Sequence, residues 1–196
     1  MCDLQRAMPI GLVLSLALAA GMSARAAGLP RLPAVKDFYL DTVLVSNGAA
    51  AAAIVAPDDP GYSGLAREIR EAVKALAGAE LPVITDIAAN AELDAGPGGG
   101  RAMIVLGNLT DSKVSERLYC MHQLDVDAAW PGENGSLVQT VHNPMGDGRN
   151  FISLGGSDFA GVRRAAQVFI GLLKPEGKSL AVGSLFRLEG GDKGPA

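Results

Sequence analysis

The chain has two histidines and a scatter of aspartates with acid-base capacity, and their spacing decides what they can do together. His142 follows a strand-like run and stands near Asp147 and, further on, Asp158. Such a group serves as a general base with an orienting carboxylate when a nucleophile lies beside it. The sequence offers no identifiable nucleophile, so a solvated strand-end histidine is the simpler reading. His122 with Asp125 and Asp127 has the donor types of a metal site, yet polar loops commonly carry three such groups without a metal. The adjacent Asp58 and Asp59 cannot face each other across a cleft, as the two carboxylates of glycoside hydrolysis must. Asp59 reads instead as a helix cap ahead of Pro60.

Gly155-Gly156 leads through Ser157-Asp158 into a helical pattern, and a glycine-rich turn at a helix start can cradle an anion. The lysine of a phosphate loop and the six-residue dinucleotide fingerprint are both missing, so a structural role is expected. Trp130, the single tryptophan, can stack on a sugar ring or plug the edge of a core. Four positions remain as speculative ligand-binding residues: Trp130, Asn108, His142 and Asp158. A carbohydrate site built from Trp130 and the loops at Asn108 and Asn143 requires all three to converge on one polar cleft. No catalytic, metal or cofactor-binding residue is assigned, and no cofactor is expected.

The elements that would hold these residues follow from periodicity. Thr42–Val45 and Ala49–Val55 read as strands split by Asn47-Gly48, a strong hairpin signal. A helix capped by Asp59 carries Leu65, Ile69, Val73 and Leu76 on one face and stops at Gly78. A short strand at Leu81–Thr85, a loop at Asp94–Gly100 and a strand at Met103–Leu106 come next. A second, shorter helix carries Val114, Leu118 and Tyr119, and after a stretch of turns Leu137–Val141 and Phe151–Leu154 form a long-tipped hairpin. A last helix begins at Ser157-Asp158 and ends by Pro175, with Val162, Ala165, Ala166, Phe169, Leu172 and Leu173 on one face; Ser179–Leu188 closes the domain as a strand. This order predicts an α/β (α+β) fold, a mixed β-sheet with two long amphipathic helices on one face. What covers the other face is the point with functional weight.

At the front, Arg6, the apolar run Ile10–Ala20 and the small residues of Ala24-Arg25-Ala26 have the layout of an export signal cleaved after Ala26. The run is shorter than the ~20 residues a permanent span needs. The expected organisation is a signal peptide at 1–26, a lead-in linker at 27–40, a single domain at 41–189 and a flexible tail at 190–196, in a secreted or periplasmic protein. With 17 basic against 21 acidic side chains, and the basic ones dispersed, neither nucleic acid nor an anionic membrane surface is an expected partner. After cleavage Cys120 stands alone and is expected to be a small buried apolar residue.

The stretch Ala49–Asp86, with its strand ending in Val55-Ala56-Pro57, its helix, Gly78 and Leu81-Pro82-Val83-Ile84, resembles the opening of a small N-terminal α/β domain. That domain precedes the catalytic barrel of several polysaccharide-degrading enzymes, namely β-N-acetylhexosaminidases, α-glucuronidases and hyaluronidase-like hexosaminidases. Ile104-Val105-Leu106-Gly107 resembles its middle strand; Gly135–Val141, Asn150–Gly155 and the helix at Gly161-Val162 resemble its closing hairpin and last helix. Ser136 stands where an aromatic residue often follows the hairpin glycine. The resemblance implies a noncatalytic accessory module, with a catalytic barrel domain or a polysaccharide as partner. A module of that kind is expected to dock through its uncovered sheet face. The alternatives are a free-standing carbohydrate binder and, further off, a small hydrolase using His142 and Asp158.

Overall fold

In the computed structural model, residues 38–96 and 100–191 are described, all of them within the unit Lys36–Ala196. The expected export signal and most of the lead-in fall outside these residues. The elements run β1 (Thr42–Ser46), β2 (Ala49–Ala50), β3 (Ala52–Ala56), α1 (Pro60–Ala77), β4 (Val83–Thr85), α2 (Asp86–Asp94) and β5 (Ala102–Leu106). They continue α3 (Lys113–Cys120), β6 (Ser136–Val141), β7 (Phe151–Gly156), α4 (Phe159–Leu172), β8 (Pro175–Glu176), β9 (Ser179–Val182) and β10 (Phe186–Glu189).

Six strands form the main sheet in the order β10-β6-β7-β5-β3-β4. β4, β3, β5 and β7 are parallel, whereas β6 and β10 run antiparallel to their neighbours, so the sheet is mixed. A second, antiparallel sheet has the order β2-β1-β9-β8. The Asn47-Gly48 turn does join two strands, with φ of 50° and 80° that suit a tight hairpin. The alanine run after it is extended but breaks at Ala51: its first two residues stay with β1 and the rest cross into the main sheet between β5 and β4. The expected closing strand divides in the same way, β9 joining the small sheet and β10 the large one.

Side chains alternate across the main sheet with the period-2 geometry of a strand. Ile54, Ile104, Ile152 and Leu154 face α1 and α4, meeting Leu65, Ile69, Val73, Val162, Ala165 and Phe169; Leu44 and Leu180 of the small sheet join this cluster. Val55, Met103, Val105, Phe151 and Leu137 face the other way, toward Ala89 and Leu93 of α2, Val114 and Leu118 of α3, and Leu124 and Val126 of the following loop. The two long helices therefore share one face, as the sequence predicts. The expectation of an uncovered opposite face is corrected: α2, α3 and the loop after α3 cover it. α2 escaped the sequence reading because its buried stripe is only Asp86, Ala89 and Leu93, too short and too polar to register as amphipathic.

Two smaller expectations also change. Leu76 is 37 % exposed, and Ala77 takes its place on the buried face of α1. Cys120 is exposed, because the buried stripe of α3 runs through Val114, Ser115 and Leu118 and leaves position 120 on the far side. Gly191, in the expected flexible tail, donates its N–H to the Pro131 carbonyl at 3.2 Å.

Candidate functional site

The carboxyl ends of β3, β4 and β5 open onto a depression of about 390 Å³, lined by Pro57, Asp58, Asp59, Tyr62, Asp86, Ile87, Asp111 and Lys113. Chain tracing explains its position. From β3 the chain leaves through α1 on one face, and from β5 through α3 on the other, so the two connections part and leave a crevice beyond the strand ends. Tyr62 is buried against Phe159 in an edge contact, ring centroids 5.2 Å apart, and its hydroxyl donates to Asp111 Oδ2 at 2.6 Å. Burial first, then the Asp111 hydrogen bond and the charges of Asp111, Asp59 and Asp158, hold the phenol far above its ordinary pKa. It is a permanent donor. Asp86 is buried and accepts the Lys113 N–H at 2.7 Å, tying the start of α2 to the start of α3. The crevice is thus lined by four carboxylates and one lysine, and Asp59, Asp86 and Asp111 already accept hydrogen bonds from the chain's own donors.

Each sequence-predicted residue has a definite place around this crevice or away from it. Asp59 caps α1, its Oδ1 accepting the N–H of Gly61 at 2.7 Å and of Tyr62 at 3.4 Å. Asn108 is buried; its side-chain amide donates to the Gly156 carbonyl at 2.9 Å while its Oδ1 accepts the Thr110 N–H and hydroxyl. These bonds clamp the ends of β5 and β7 together. Asp158 caps α4 through Gly161 N–H and, with its other oxygen, accepts the Asn134 N–H, both at 2.8 Å. Trp130 is 39 % exposed in a loop fixed by Asp127, whose Oδ1 accepts the N–H of Ala129 and Trp130. Those two bonds hold the Asp127 carboxyl below its ordinary pKa.

His142 sits at the other end of the sheet. β6 and β7 pair from Ser136↔Gly156 to Val141↔Phe151, so the hairpin separates His142 from Asp158 by about 20 Å. The base and carboxylate of the hydrolase alternative are therefore not brought together. The Asn143 loop shares the His142 end, away from Trp130 and Asn108, so the convergence required for the sugar cleft is not met either. There His142 bonds the Tyr39 carbonyl through Nδ1 (2.9 Å) and the Ser184 hydroxyl through Nε2 (3.0 Å). Asn150, also buried, donates to the carbonyl of Tyr39 at 2.7 Å and to the Thr42 hydroxyl at 3.2 Å. Together these residues latch the start of the domain to the foot of the main sheet.

His122 has a local role. With φ of 55°, it ends α3 in the left-handed conformation while its own N–H reaches the Tyr119 carbonyl and that of Gln123 reaches Leu118. Among the described residues no group of three or more His, Cys, Asp or Glu side chains is placed to hold a metal ion, and no helix is long and apolar enough to cross a membrane. The Gly155-Gly156 pair is explained by packing. A Cβ on Gly156 would lie 2.5 Å from the Gly161 carbonyl carbon and the Val162 nitrogen. Sequence reading missed Tyr62, Asp86 and Asp111 as crevice residues; the usable signal was their position in the first residues after successive strands. No family model matches the chain, and no curated protein does.

Proposed function

We propose that this chain is a noncatalytic exported module of polysaccharide degradation, similar in role to the N-terminal domain that precedes a glycosidase or lyase catalytic domain. One observation supports the reading. Apart from Ala49–Ala50, which pair with β1 in the small sheet, the segments that carry the resemblance supply strands of the main sheet and the two long helices packed on it, in chain order: β3, α1, β4, β5, the β6–β7 hairpin and α4.

The purified chain is expected to release no product from a panel of polysaccharides and chromogenic hexosaminides and glucuronides, measured as reducing ends or unsaturated termini. Fused ahead of a catalytic barrel of that class, it is expected to raise the barrel's melting temperature. Product formation by the chain alone, or a fusion that melts with the bare barrel, overturns the reading.

Trp130→Ala separates the module from a carbohydrate binder. The substitution is expected to cost about 1 kcal/mol, since the ring is partly exposed and its loop is held by backbone bonds to Asp127. Migration in glycan affinity gels should not change. Lost retention at an unchanged melting temperature would favour the free-standing binder.

A further inference from the structure

We infer that β10 is a pairing edge for a second copy of this chain. β10 closes one side of the main sheet and is exposed along its whole length, Phe186 at 59 % and Leu188 at 45 %. The Thr140 N–H donates to the Leu185 carbonyl, and the Leu185 N–H donates back to the Thr140 hydroxyl. Peptide direction alternates along an antiparallel strand, so Arg187 and Glu189 turn their peptide groups to β6 while Phe186 and Leu188 turn theirs outward. An outward row of this kind is a template for another strand; the Phe186 carbonyl in it accepts from the Arg187 guanidinium at 3.2 Å, an exposed contact that an incoming strand replaces.

The sequence of the edge selects what that strand is. Hydrogen-bond parity allows an antiparallel copy to pair about Phe186, Arg187, Leu188 or Glu189, but not about the points between them. Pairing about Phe186 sets Arg187 opposite Leu185 and Glu189 opposite Gly183, so neither charge meets its opposite. Pairing about Arg187 sets guanidinium against guanidinium, and pairing about Glu189 sets carboxylate against carboxylate. Pairing about Leu188 places Arg187 of each copy opposite Glu189 of the other, twice over, and brings Leu188 against Leu188. Opposite charges across a pair are favourable and like charges are not. Of the four arrangements, only the Leu188-centred one satisfies both faces of the strand. Its apolar face is continued by the strand register, which sets Leu188 beside Leu137, and the end of β10 is fastened to the loop before β6 by the Gly191 N–H on the Pro131 carbonyl.

Sedimentation equilibrium of the purified chain across the micromolar range is expected to show a monomer–dimer equilibrium. Arg187→Glu and Glu189→Arg should each weaken the dimer by about tenfold, because two attractive pairs become two repulsive ones. An equimolar mixture of the two variants should associate as wild type does, since each introduced carboxylate then meets an introduced guanidinium. Both side chains are exposed, and thermal melts of the separate variants check that folding is intact. A wild-type chain that stays monomeric throughout the range overturns the inference, as does a mixture no more associated than its components.

Discussion

Gly156→Ala is expected to destabilise the chain by about 3 kcal/mol, through overpacking that no side-chain rotation can relieve. The added methyl would lie 2.5 Å from the Gly161 carbonyl carbon and the Val162 nitrogen and 2.7 Å from Gly161 Cα, all backbone atoms of the first turn of α4. To make room, α4 must lift off β7. That movement withdraws Val162, Ala165, Ala166 and Phe169 from the core they share with Ile152 and Leu154. It also pulls on the Gly156 carbonyl that Asn108 holds. Gly171→Ala is the control, because a Cβ there meets nothing within 4 Å and the residue lies inside α4. That change is expected to stabilise by roughly 0.5–1 kcal/mol, the ordinary gain of alanine over glycine in a helix. Equal denaturant midpoints for Gly156→Ala and wild type would show that the approach of α4 to the sheet is looser than described.

The contrast between these two glycines shows where the sequence was legible. Local chemistry was readable: the Asp59 cap, the Gly78 stop (φ of 73°) and the Asn47-Gly48 hairpin each depend on a few adjacent residues. So was the pairing of α1 and α4 on one face, because Leu65, Ile69 and Val73, like Val162, Ala166 and Phe169, recur at helical spacing. What was hidden depends on partners distant in sequence. Nothing near Ala51 signals that the alanine run changes sheets, and nothing near Gly183 signals that the closing strand does the same. α2 was missed because its stability comes from its surroundings: Thr85 caps it, and its buried Asp86 serves α3 through the Lys113 N–H.

The candidate residues failed to gather for a similar reason. Asp158 and His142 look close in a sequence that folds back as a hairpin. The register of that hairpin, six consecutive pairs without a bulge, puts them at opposite ends. Asn108 looked available for a ligand because it follows a strand, the usual place for binding residues. Its amide is instead consumed by Gly156 and Thr110. The crevice takes its lining instead from residues such as Tyr62, Asp86 and Asp111, which come together only once α1, α2 and α3 are packed on both sides of the sheet.

Asp158→Asn carries the second large expected effect, about 2 kcal/mol at neutral pH. The carboxylate uses its two oxygens on different segments, Gly161 in α4 and Asn134 in the loop before β6. An asparagine has one oxygen to offer, so one of the two N–H groups loses its acceptor. The effect has a definite pH dependence. Burial alone would raise the Asp158 pKa, but hydrogen bonds from the N–H groups of Asn134, Gly161 and Ala160, with a smaller contribution from Arg164, outweigh it and hold the carboxyl below its ordinary value. A depressed folded-state pKa contributes stability that is fully present above the unfolded value of about 3.9 and is lost as pH falls through the folded one. The stability gap between wild type and Asp158→Asn should therefore be constant from pH 7 to about pH 5 and shrink steadily below about pH 4. Urea melts of both proteins between pH 7 and pH 2.5 measure that gap directly. A gap that stays level to the acid end would mean that the Asp158 charge does not bind the two segments together.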